Sequence, residues 1–118
     1  MDGRVTREEA LRILETPLDG LLGQAEAERV QRIAVANALL QHCGLDWSRL
    51  FAAMTGHHRR GRGRPEAEMS SIVVWHGFWQ GQAEAALRRE TPRCGEGLRR
   101  VATERAEGEL RALAAPAR

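Results

Sequence analysis

The sequence predicts an all-α protein: a single small helical domain over residues 1–118, of about five helices, with a Trp-rich helix at its centre. Three observations predict it. Ala, Leu, Glu and Arg dominate, Tyr is absent and aromatic residues make up only 4% of the chain, a composition biased to helix. Apolar residues recur at three- and four-residue spacing in long segments, and no strand-like alternation competes with them. Helix start and stop signals punctuate those segments at Thr6, Gly44, Pro65 and Pro92. An apolar fraction of 42% and a charged fraction of 29% suit a globular domain, and 118 residues are enough for one modest core.

Taken in order, Thr6-Arg7-Glu8-Glu9 is a capping box. It starts a helix that presents Leu11, Ile13 and Leu14 and stops before Pro17. Asp19-Gly20 reads as a turn and Gly23 as a further break. A second helix runs from about Gln24 to His42, with Val30, Ile33, Ala34, Asn37, Leu40 and Gln41 near one face. Gly44 stands where a helix-ending glycine belongs. Asp46 can cap a short third helix, Trp47–Met54, ended by Gly56, with Trp47 as a core anchor. A flexible Arg-rich loop is expected over about 56–65.

Pro65, Glu66 and Glu68 suit the first turn of a fourth helix, which reaches about Glu90. Its face of Met69, Ile72, Trp75, His76, Trp79, Ala83 and Leu87 predicts a central position, with His76 a hydrogen-bonded core histidine. A last helix, about Gly97–Ala114, aligns Leu98, Val101, Ala102, Arg105, Leu110 and Leu113. Residues 114–118 are expected to fray. This amphipathic helix faces the core or, as the alternative, forms the seam of a homodimer or higher homo-oligomer.

All 18 basic residues are Arg, and the net charge is +2. Residues 1–28 carry seven acids against three arginines, whereas the remainder is +6. Such asymmetry can orient a molecule against a polyanion. Two cysteines, Cys43 and Cys94, are too few for a disulfide scaffold, and no leader pattern opens the chain, so a reduced, cytoplasmic protein is expected. No apolar run approaches the ~20 residues of a membrane span.

The stretch HHRRGRGRPE, residues 57–66, carries most of the functional expectation. Arg62-Gly63-Arg64-Pro65 resembles the core of an AT-hook, in which an extended Arg-Gly-Arg lies along a narrow A·T minor groove. Glu66 and Glu68 depart from that pattern, since acids beside the motif repel phosphates, which leaves a plain solvated loop between helices ahead of general phosphate contact by these arginines. Ala36–Thr55 has the spacing of a helix-turn-helix with Gly44 at the turn, although Leu40 occupies a position that usually holds a small residue, so an ordinary helical hairpin is expected. Glu26–Leu50, with its GLDW at 44–47, resembles the N-terminal region of small bacterial phage and prophage proteins. That resemblance, which extends loosely over residues 9–51, implies a mobile-element origin and not an activity.

Neither catalysis nor a cofactor is expected, since no nucleophile sits in a recognisable turn and no paired acid motif occurs. No metal site is expected either: His42-Cys43, His57-His58, His76 and Cys94 include no Cys-x-x-Cys or His-x-x-x-His pair. These observations predict a non-enzymatic protein contacting nucleic acid, DNA in preference to RNA. The contacts would come from Arg59, Arg60, Arg62 and Arg64, with Arg88, Arg89 and Arg93 adding further phosphate contacts. The alternative is a protein-binding module, such as a phage-encoded inhibitor or assembly adaptor, acting through its acidic N-terminal region or its Trp/Phe helix.

Overall fold

The computed structural model describes residues 5–115 and contains six α-helices, one π-helical turn and, among those residues, no strand. The helices are α1 (Arg7–Leu14), α2 (Leu18–Leu22), α3 (Gln24–His42), α4 (Ser48–Gly56), α5 (Glu66–Glu90) and α6 (Glu96–Ala114), with the π-helical turn His57–Gly61 between α4 and α5. The all-α expectation holds. The expected turn at Asp19-Gly20 is instead the middle of α2, a short helix that buries Leu18 and Leu22. The last three residues, where fraying is expected, lie outside the described part of the chain.

The long helices α3 and α5 pack along each other and form the centre, with α1 and α2 at one end and α6 laid against α3. Their shared face is made by the predicted spacing: Val30, Ile33 and Leu40 from α3 join Met69 and Ile72 from α5 in one buried cluster, and Ala34 is buried as well. Gln41, placed on that face by periodicity, is instead exposed and accepts a hydrogen bond from buried Gln80 at 2.9 Å. Trp75 and Trp79 are half-buried, and the Trp75 indole N–H donates to the carbonyl of Thr16, tying α5 to the α1–α2 turn. Leu11 is 55% exposed, so α1 contributes to the core less than its pattern predicts. Val101 of α6 is also exposed, and Ala102 and Ala106 bring that helix against the core.

One polar pair sits inside this face. Asn37 of α3 and His76 of α5 are both buried, and the Asn37 amide donates to Nε2 of the ring at 2.9 Å. Burial pushes the His76 pKa down to about 4, so the ring is neutral and its Nε2 is free to accept.

The helix ends follow capping rules. Thr6 Oγ1 accepts from the backbone N–H of Glu9 at 3.1 Å. At the end of α3, Gly44 takes φ +69°, the Leu45 N–H donates to the Leu40 carbonyl and the Gly44 N–H to the Gln41 carbonyl. This double closure needs a left-handed residue, which a side chain would strain. Asp46 Oδ1 accepts from both the N–H and the hydroxyl of Ser48, which starts α4.

The expectation of free thiols is overturned. Cys43, the C-cap of α3, is bonded to Cys94 in the α5–α6 connection, with Cα atoms 5.1 Å apart. The His42 ring N–H donates to the Thr91 carbonyl at 2.6 Å beside it. Residues 51 apart in sequence are thus joined at a place where no spacing rule brings them together. A loop of that length is worth about 4 kcal/mol of denatured-chain entropy. Replacing both cysteines with serine is therefore expected to cost about 2–4 kcal/mol in urea unfolding. Thiol titration of the denatured, unreduced chain is expected to find no free sulfhydryl.

Candidate functional site

The Arg-rich stretch is built on a helix that does not stop where expected. Gly56 has φ −62° and ψ −40°, ordinary right-handed helix, and the chain continues through His57–Gly61 with π-type bonding. A glycine ends a helix only when it takes up the left-handed conformation, and here Gly63 does so, at φ +62°. The Arg62 N–H donates to the His57 carbonyl and the Arg64 N–H to the His58 carbonyl, closing the end. The predicted loop over 56–65 is thus helical in its first half. Arg62-Gly63-Arg64 forms a turn, not the extended strand that minor-groove insertion uses.

The π turn changes which side chains face inward. His57 and His58 are consecutive, and in an α-helix neighbours point well apart. Here the two rings stand edge-to-face with centroids 5.0 Å apart, and both present Nε2 to one carboxylate, Glu26 at the start of α3. Glu26 Oε2 lies 3.7 Å from His57 Nε2 and 3.8 Å from His58 Nε2. These separations are too long for hydrogen bonds. All three atoms are enclosed and have no hydrogen-bond partner among the described residues. His58 is wholly buried, and the Glu26 and His57 side chains are 17% and 20% exposed.

Both rings are held neutral. Burial is the main cause for each, and the Glu26 carboxylate only partly opposes it. His58 is pushed down to about 4, with His57, Arg64 and Arg29 lowering it further, and His57 is lowered also by Arg29 and Arg62.

The four loop arginines fall into two groups. Arg64 is enclosed, its side chain 12% exposed; its Nε donates to His58 Nδ1 at 3.1 Å and its Nη1 to Glu68 at 3.0 Å. It braces the turn and is unavailable to an outside anion. Arg59, Arg60 and Arg62 are exposed. Arg59 lies 3.5 Å from Glu66, and Arg62 lies 3.8 Å from Glu26 Oε1. The second group of candidates does not join them. Arg88 and Arg89 end α5, with Arg88 paired to Glu84 at 2.8 Å, and Arg93 follows in the α5–α6 connection; all three are exposed. The 25 residues of α5 put about 36 Å between its two ends. Arg49, the only cation on α4, is exposed together with Ser48 and Ala52.

No family model, curated protein or solved structure matches this chain.

Sequence spacing misses Glu26 and the two histidines as a cluster. Two consecutive histidines and a carboxylate from a distant part of the chain match neither the Cys-x-x-Cys nor the His-x-x-x-His spacing. One signal was available. Glu26 lies in register with Val30, Ile33 and Asn37, a carboxylate in line with the apolar face of α3.

Proposed function

We propose that this protein contacts nucleic acid, DNA in preference to RNA, by phosphate contacts from Arg59, Arg60 and Arg62. The observation that carries this reading is the presentation of these three guanidiniums within four residues, on a turn anchored from inside by His58 and Arg64. The Arg59–Glu66 and Arg62–Glu26 contacts, at 3.5 and 3.8 Å, are longer than a hydrogen-bonded ion pair, and both arginines are about half-exposed. Such surface pairs contribute little, so phosphate oxygens can replace them. Cations at the C-terminal end of a helix also sit where its dipole favours them. A mobile-element origin rests on the GLDW resemblance alone and adds nothing to the chemistry.

Three phosphate contacts set a limit on salt sensitivity. The slope of log K against log salt on duplex DNA is expected near −3, following about −0.9 per neutralised phosphate. Arg59→Gln/Arg60→Gln/Arg62→Gln is expected to lower affinity at least tenfold and flatten that slope. Arg88→Gln/Arg89→Gln/Arg93→Gln, at the far end of α5, is expected to leave both nearly unchanged. Gel shifts at several salt concentrations read all three. Equal binding by the first variant and the wild type would remove the reading. A protein partner would then be sought on the outer side of α5, where residues 69–83 carry no charge and Val73, Gly77, Phe78 and Gly81 are exposed.

A further inference from the structure

We propose that Glu26, His57 and His58 form a binding site for a transition-metal dication, with Zn²⁺ as the expected ion. Two observations carry this independently of nucleic-acid contact. First, Glu26 Oε2 and the two Nε2 atoms lie within 4.8 Å of one another, at the closed inner side of the π turn. Ligand atoms around tetrahedral zinc are about 3.3 Å apart, so the 3.7 and 3.8 Å separations need to contract by only a few tenths of an ångström. Second, all three atoms are enclosed without a hydrogen-bond partner among the described residues. Leaving three such groups unsatisfied is costly, and a shared cation can satisfy a carboxylate and two imidazole nitrogens together.

The donor set selects the ion. Two imidazoles and one carboxylate suit zinc, cobalt or nickel, whereas magnesium and calcium take all-oxygen shells. Three protein ligands leave a fourth position for water. The partial exposure of Glu26 and His57 leaves an approach, and wholly buried His58 forms the floor.

The surroundings state what loading requires. Arg64 Nε donates to His58 Nδ1, so without metal the ring proton sits on Nε2, facing Glu26. Coordination at Nε2 moves that proton to Nδ1, with no net proton released from the ring. Arg64 Nε must then withdraw, and Glu68, already 3.0 Å from Nη1, retains the guanidinium. Arg29 and Arg62 lie near the site and weaken it electrostatically, while the Glu26 charge offsets part of that.

The test uses the untagged full chain, stripped with chelator. Zn²⁺ titration against a chromophoric chelator is expected to show one equivalent bound, and Co²⁺ a tetrahedral visible spectrum. Glu26→Gln and His57→Gln, which change partly exposed side chains, are each expected to weaken Zn²⁺ binding at least tenfold while circular dichroism stays helical. His42→Gln, far from the site in sequence and hydrogen-bonded to Thr91, is expected to bind like the wild type. The proposal is overturned if the wild type takes up no stoichiometric Zn²⁺, or if Glu26→Gln and His57→Gln bind as tightly as the wild type.

Discussion

Lowering the pH from 7 to 4 is expected to destabilise the protein by about 3 kcal/mol through His76 alone. The sign follows from the two states. In the unfolded chain the imidazole titrates near 6.5, and in the fold it titrates at about 4. Between these values the unfolded state binds the extra proton, so stability is complete above pH 6.5 and falls as the pH drops towards 4. The cause is burial: His76 is 2% exposed, with its one polar contact made by an amide nitrogen that cannot accept a proton. Charging the ring would set the new N–H against the Asn37 amide hydrogens. His57 and His58 shift in the same direction, so the total loss exceeds the share of His76. Urea unfolding at pH 7, 5.5 and 4, in chelator, measures the loss. Asn37→Leu/His76→Leu is expected to retain most stability at pH 7 and to show a smaller loss at pH 4. An unchanged pH dependence in that variant would show that His76 is not the group responsible.

Asn37→Ala alone is expected to cost about 2–4 kcal/mol, more than most single changes in this chain. It removes the partner of a buried ring nitrogen and leaves space between α3 and α5. The paired leucine variant removes both polar groups at once and replaces them with apolar volume. It is expected to recover most of that cost, because the penalty lies in the orphaned partner more than in the lost bond. Chemical unfolding of the wild type and both variants separates the two. If Asn37→Ala and the double variant lost the same amount, packing and not polar satisfaction would be the dominant effect.

These two residues also mark how far sequence reading extends into the core. Their positions on the shared face were legible, since Asn37 falls in phase with Val30, Ile33 and Ala34, and His76 with Met69 and Ile72. That they meet each other was not. Periodicity assigns a face to each helix but does not set the register of one helix against another, which side-chain interdigitation decides.

The Arg-rich turn shows the same division at the candidate site. Four arginines in six residues, two neighbouring histidines and the helix start at Pro65 were all apparent from the chain. Their roles were not. Arg62 and Arg64 are chemically identical and two residues apart, yet one is half-exposed and the other is locked between His58 and Glu68. The difference arises because Gly63 turns the backbone and sends Arg64 back over the helix. Glu26 belongs by sequence to the acidic segment 1–28, yet it sits beside His57, His58 and Arg62.

By itself, then, the sequence determined the all-α class, the bounds of α3 and α5, the capping at Thr6 and the central place of the Trp-rich helix. These are local properties, set by residues within one or two turns of each other. Only the tertiary structure decided the Cys43–Cys94 bond, the Asn37–His76 pair, the enclosure of Arg64 and the convergence of Glu26 with His57 and His58. Each of these joins groups from separate elements. Their distances depend on how whole helices dock, as at the π-helical turn His57–Gly61, where two consecutive histidines face a single carboxylate from α3.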